Sequence, residues 1–184
     1  MRVITGIARG RKLVTLEGEE VVRPTTDRVK EAMFSIIQFD IPGKSVLDLF
    51  AGSGQLGIEA LSRGAEKAVF VDKSAEAFSV VKQNLKTCGL SDKATVINSD
   101  SFSFLRSTAE KFDIILIDPP YSRQMAETAL SLVDGVLKDG GIVMCEPITA
   151  RTCRKKSVIL KKLRNINIPR LNSLPIKSNS EGFS

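Results

Sequence analysis

Two short motifs hold the residue types most able to do chemistry. Asp118-Pro119-Pro120-Tyr121 directly follows the apolar run Ile114 to Ile117. Two prolines after a strand hold an extended turn and remove two backbone donors, which leaves carbonyls free to accept. A base amine is a poor nucleophile because its lone pair is delocalised into the ring. A carboxylate and a proline carbonyl accepting its two N–H bonds favour a pyramidal nitrogen with its lone pair aimed at an electrophilic methyl group. Asp118 and Pro119 suit that role. Tyr121, the only tyrosine in the chain, suits stacking on a base swung out of its helix. A structural turn without catalysis is the competing reading.

The second motif is Gly52-x-Gly54-x-x-Gly57, with Asp72 18 residues beyond Gly54. It matches the dinucleotide fingerprint, and a merely glycine-rich turn would match it too. Asp48 separates the cofactors. A carboxylate there sits poorly beside a pyrophosphate but suits the ammonium and sulfonium charges of S-adenosylmethionine. Close backbone approach at Gly52 and Gly54 admits the amino-acid part of that ligand. Asp72, after a second strand, is placed for the ribose hydroxyls or as an exposed helix cap. Asp100, after a third, can meet the adenine amine or cap the next helix. Phe50, Lys73 and Ser101 flank these positions and join the candidate cofactor site.

The elements that must position these residues alternate. Ser45–Leu49, Lys67–Asp72, Ala94–Ile97, Asp113–Asp118 and Gly141–Cys145 read as strands. Helical segments separate them: Gly57–Gly64, Ser74–Thr87, a short one around Phe102–Leu105, and Met125–Leu137. Continuous apolar strands with helices between them predict an α/β, doubly wound, mostly parallel sheet with helices on both faces and ligands at the strands' carboxyl ends. Ahead of this core, Arg2 to Leu16 predicts a β-hairpin. Arg23 to Arg28 opens a helix that runs through Phe34 and Ile37.

The chain has 184 residues, the size of one domain, and no apolar run near the roughly 18 residues that span a bilayer. It has no histidine, which removes the commonest general base and transition-metal ligand, and no metal is expected. Cys88, Cys145 and Cys153 are widely spaced, as in the reduced thiols of a cytoplasmic protein. The net charge is +6, yet nine of the 27 basic residues and one of the 21 acids lie after position 150. Residues 1–150 therefore carry −2, and bulk charge is no argument for a nucleic-acid partner.

With these residues in hand the chain resembles a known family. Asp48-Leu49-Phe50-Ala51-Gly52-Ser53-Gly54, continuing as Leu56-Gly57-Ile58-Glu59-Ala60-Leu61-Ser62-Arg63-Gly64-Ala65, is similar to the bacterial 16S ribosomal RNA guanine-N2 methyltransferase D family. So are Arg23-Pro24-Thr25-Thr26-Asp27-Arg28-Val29-Lys30-Glu31-Ala32 and Ile4-x-Gly6-x-x-x-Gly10-Arg11-Lys12-Leu13. D-P-P-Y alone is shared with adenine-N6 and other amine methyltransferases. The resemblance implies a Rossmann-like fold, a cofactor site at Asp48, Gly52, Asp72 and Asp100, and a target base at Asp118 and Tyr121. It implies 16S RNA or the assembling small subunit as partner. Arg9, Arg11, Lys12, Arg23, Thr25 and Arg28 are then candidate substrate contacts, with an ordinary solvated surface as the alternative. Arg28 can also pair with Glu31 or Glu59. A monomer is expected.

By motif the resemblance ends at Glu146. The expected organisation is an RNA-facing extension over 1–40, a catalytic domain over 41–150 and an atypical basic tail over 151–184. The stretch 147–180 has no aromatic residue and no acid. A frameshift is one explanation, since Lys155 to Asn172 can be back-translated into a tyrosine-containing frame, and resequencing tests it. The last strand pair is therefore in doubt, and the fifth strand is expected to be left as an unprotected edge. The competing functions are an adenine-N6 or other base-amine methyltransferase, a nicotinamide-dependent oxidoreductase, and a catalytically impaired RNA-binding relative.

Overall fold

The computed structural model describes residues 1–16, 27–119, 123–145 and 158–161. The chain order is α1 (Asp27–Ile36), β1 (Ser45–Leu49), α2 (Gln55–Ser62), β2 (Lys67–Asp72), α3 (Ala75–Cys88) and β3 (Ala94–Asn98). It continues with α4 (Ser101–Ser107), β4 (Phe112–Ile117), α5 (Arg123–Leu132), β5 (Leu137–Cys145) and β6 (Val158–Lys161). One six-stranded sheet forms in the order β3-β2-β1-β4-β5-β6. Its first five strands are parallel and β6 is antiparallel to β5. This is the doubly wound architecture that the apolar strands imply.

Side chains alternate across the sheet and divide the core. Val46 joins Ile58, Leu61, Phe70 and Val81 on the face covered by α2 and α3. Leu47 and Leu49 join Leu105, Ala129 and Val133 on the face covered by α4 and α5. In α1, Lys30, Met33 and Phe34 recur at helical spacing and are buried, as is Ile37 just past its end. Among the described residues no helix is long and apolar enough to cross a membrane. Cys145 is buried and Cys88 half-buried.

Three expectations need correction. The fifth strand is not left bare, because β6 pairs with it from Ile142–Lys161 to Cys145–Val158. A four-residue antiparallel pairing needs only backbone groups and no aromatic signature. The rest of the tail lies outside the described residues. The N-terminal hairpin is present but short: around the Arg2–Lys12 bridge, Val3 N–H donates to the Arg11 carbonyl at 3.0 Å and Leu13 N–H to that of Met1 at 3.2 Å, while Ile4 and Val14 bond to α2 and α3. The fifth helix stops at Leu132, followed by a 3-10 turn over Val133–Gly135. Last, β5 begins at Leu137 and shifts register before Ile142, where Gly140 takes φ 74°.

At the sheet's amino edge Asp113 ties three strands. Its Oδ2 accepts from the Ser45 N–H at 2.9 Å, the Ser45 hydroxyl at 2.7 Å and the Lys138 ammonium at 2.8 Å. Burial alone would raise its carboxyl, but Lys138 and Ser45 outweigh it and hold it at about 2 against an ordinary 3.8. A carboxyl depressed on folding stabilises the protein above its unfolded value, and that stability is lost as pH falls through the folded one. Asp113→Asn is expected to cost about 1–2 kcal/mol at neutral pH. Wild type and variant should converge near pH 2 in denaturant melts.

Candidate active site

The site is assembled at the carboxyl edge of the sheet. Leu49 lies in register with Val71 of β2 and Ile117 of β4. The residues that follow in each strand or loop are Phe50, Asp72 and Asp118, so they sit side by side at that edge. Asp72 is level with Asn98, two residues short of Asp100. The strand order reverses between β1 and β4, the place where such sheets bind ligands.

The loop after β1 turns sharply. Phe50 has φ 59°, Gly52 φ 52° and Gly54 φ 77°. Left-handed backbone is costly for a bulky side chain and marks a conformation held by its surroundings. Part of that hold is the Phe50 ring, edge-on to Phe102 at 5.7 Å. Another part is Asp72, whose Oδ2 accepts the Gly52 N–H at 2.9 Å while its Oδ1 accepts the Ser74 N–H at 2.9 Å. The capping alternative for Asp72 fails, because the α3 cap is the Ser74 hydroxyl, bonded by Ala77 N–H. Each Asp72 oxygen retains a second lone pair for a ligand.

Asp48 shares the face of Val46, so its side chain points into the core under α2. It is 1% exposed, and its Oδ2 accepts the Gly57 N–H at 2.8 Å. It therefore acts on the crevice from beneath the glycine loop. Burial pushes its carboxyl well above the usual range; the Gly57 bond opposes this, and the fields of Asp118 and Asp72 add to it. A cation at this edge would relieve that strain, whereas a pyrophosphate would add to it. Gly57 itself must be glycine. A Cβ there would lie 2.3 Å from Cε1 of Phe70 and 3.0 Å from Asp48 Oδ2. Phe70 is fully buried and has nowhere to go. Gly57→Ala is expected to cost about 1–3 kcal/mol, read as a lower denaturation midpoint.

Asp100 caps α4, accepting the Ser103 N–H at 2.9 Å and the Ser103 hydroxyl at 3.0 Å. These bonds, the Ser103 N–H first, hold its carboxyl below the usual range. Ser101 is buried and Lys73 exposed. Asp118 is half-buried at the end of β4 and Pro119 is buried. Pro120 and Tyr121 lie outside the described residues, as do Arg23, Thr25 and the Arg28 side chain. Arg9, Arg11 and Lys12 are exposed.

Sequence reasoning missed what holds the N-terminal segment. Glu59, fully buried in α2, accepts the N–H groups of Ile4 at 2.8 Å and Thr5 at 3.0 Å, and pairs with Arg63 at 2.8 Å. Lys30 of α1 is buried 3.8 Å from it and donates to the Arg2 carbonyl. The pairing of Arg28 with Glu31 or Glu59 lies outside the described residues. Asn84 of α3 bonds Val14 in both directions and donates to the Ser53 carbonyl in the glycine loop. The only signal was a polar residue at a position of the helix's apolar spacing, as Asn84 beside Val81 and Leu85.

Comparison with known proteins decides the family. Residues 1–170 match the family model described as Conserved hypothetical protein 95. The ribosomal RNA small subunit methyltransferase D of Haemophilus influenzae is 41% identical over 79% of this chain and 78% of its own. The enzyme of that name from Escherichia coli K12 is 37% identical over 79% and 74%. The chain belongs to the methyltransferase D family. Among solved structures, the yhhF protein of Escherichia coli superposes with a TM-score of 0.72 at 37% identity, covering 79% of both chains. The HI0767 protein of Haemophilus influenzae gives 0.70 at 33%, covering 89% of this chain and 98% of its own. The family-model match runs to residue 170, past Glu146 where the motif resemblance ends.

Proposed function

We propose that this methyltransferase D family member transfers a methyl group from S-adenosylmethionine to the exocyclic N2 amine of a guanine in 16S ribosomal RNA, free or in the assembling small subunit. The observation that carries the reading is the alignment of Phe50, Asp72 and Asp118 at one sheet edge, with buried Asp48 beneath. The carboxylates favour a cationic, phosphate-free nucleoside, and the left-handed glycine loop lets backbone approach it closely. When bound, that cofactor supplies an electrophilic methyl carbon.

The chain's own residues do the rest. Asp72 accepts from the ribose hydroxyls, and Asp100 and Ser101 bound the adenine end, with Phe50 and Lys73 at the flanks. Asp118 and the Pro119 carbonyl accept the two N–H bonds of the target amine, which turns its lone pair out of the ring plane. Tyr121 stacks on the extruded base. Arg9, Arg11, Lys12, Arg23, Thr25 and Arg28 hold phosphates and fix the orientation of the RNA. The names of the relatives support a small-subunit RNA substrate. The test is tritium transfer from labelled cofactor to free 16S RNA, to small subunits and to naked DNA. Label at guanine N2 of the RNA is expected, and label in DNA adenine alone would overturn the reading.

A further inference from the structure

We propose that the Gln55 carboxamide binds the amino-acid end of the methyl donor, its Oε1 accepting a hydrogen bond from the donor's ammonium group. Gln55 is the first residue of α2, directly after left-handed Gly54, and α2 has no side-chain cap. The residue is 9% exposed, and its Oε1 is buried without a partner. Elsewhere in α2 the buried polar side chains are satisfied. Glu59 takes two N–H groups and Arg63, while Ser62 donates to the Thr5 carbonyl and accepts from Ala8 N–H. No other described buried side chain has an orphaned polar atom.

An unsatisfied buried acceptor costs stability, so its retention calls for a partner that arrives later. Helical side chains lean toward the helix N-terminus, which puts this carboxamide at the glycine-loop end of α2. There the helix dipole favours a carboxylate, and the fields of Asp48 and Asp72 favour a cation. An amino acid carries both charges on adjacent atoms.

The inference rests on the methyl donor proposed above, and the experiment separates the two. Gln55→Met keeps the volume and removes the acceptor. S-adenosylhomocysteine, which has the amino-acid end, and 5′-methylthioadenosine, which lacks it, are titrated calorimetrically into wild type and variant. The Kd for S-adenosylhomocysteine is expected to rise about tenfold, that for methylthioadenosine to stay within about twofold. The unliganded variant should melt at the same temperature or about 2–4 °C higher, because an orphaned polar atom is gone. Equal losses for both ligands, no loss for either, or a lower melting point would overturn the inference while leaving the donor intact. A wild-type chain that binds neither ligand would overturn the donor reading and this inference together.

Discussion

Asp118→Ala is expected to lower methyl transfer to small-subunit RNA by about a hundred- to a thousandfold, the usual cost of removing one preorganised group at the reacting atom. Affinity for S-adenosylhomocysteine should change by less than about threefold, since the role assigned to Asp118 is at the acceptor nitrogen. Asp118→Asn sharpens the point. It is nearly isosteric but neutral, and it presents an N–H2 donor in place of one carboxylate oxygen, so the negative charge that faces the developing cation is gone. It should fall close to the alanine variant. Single-turnover transfer from tritiated donor, read beside calorimetric binding, checks both. An asparagine variant with near wild-type rate would show that the carboxylate does not prepare the amine.

The second large effect lies in the core under the N-terminal segment. Glu59→Ala leaves the buried Lys30 ammonium without its carboxylate and orphans the N–H groups of Ile4 and Thr5. Removing one partner of a buried pair costs about 3–5 kcal/mol. Burial already pulls the Lys30 ammonium down from its usual range, against the opposing pull of Glu59. Without Glu59 that burial is unopposed by its nearest carboxylate. Lys30→Met should cost clearly less, because Glu59 keeps Arg63 and both backbone donors. Chemical denaturation orders the two variants. A Glu59→Ala cost below about 1 kcal/mol, or one equal to that of Lys30→Met, would show that the segment is held by apolar packing instead.

That cluster marks a limit of reading a chain without its fold. The alternation of apolar strands and helices specifies the doubly wound sheet, because each element's pattern of burial is written in its own few residues. The glycine loop was legible for the same reason, since a left-handed turn at Gly52 and Gly54 is a local demand. The N-terminal hairpin was legible but its anchoring was not, because Thr5 and Val14 bond to Glu59 and Asn84, side chains 54 and 70 residues away. The β6 pairing escaped because a sheet edge can be completed by backbone bonds alone, with little side-chain pattern to announce it.

The candidate site divides in the same way. Order along the chain was enough to put Asp48 in a strand, Asp72 and Asp118 at strand ends and glycines in the loop between, since neighbours in sequence stay neighbours on a strand or a turn. Only the packed sheet decided that β1 lies between β2 and β4. That brings Asp72 and Asp118 to the same edge and buries Asp48 beneath it. Burial and electric field depend on what covers a group and what faces it across space. Those quantities come into being only when distant segments close over one another.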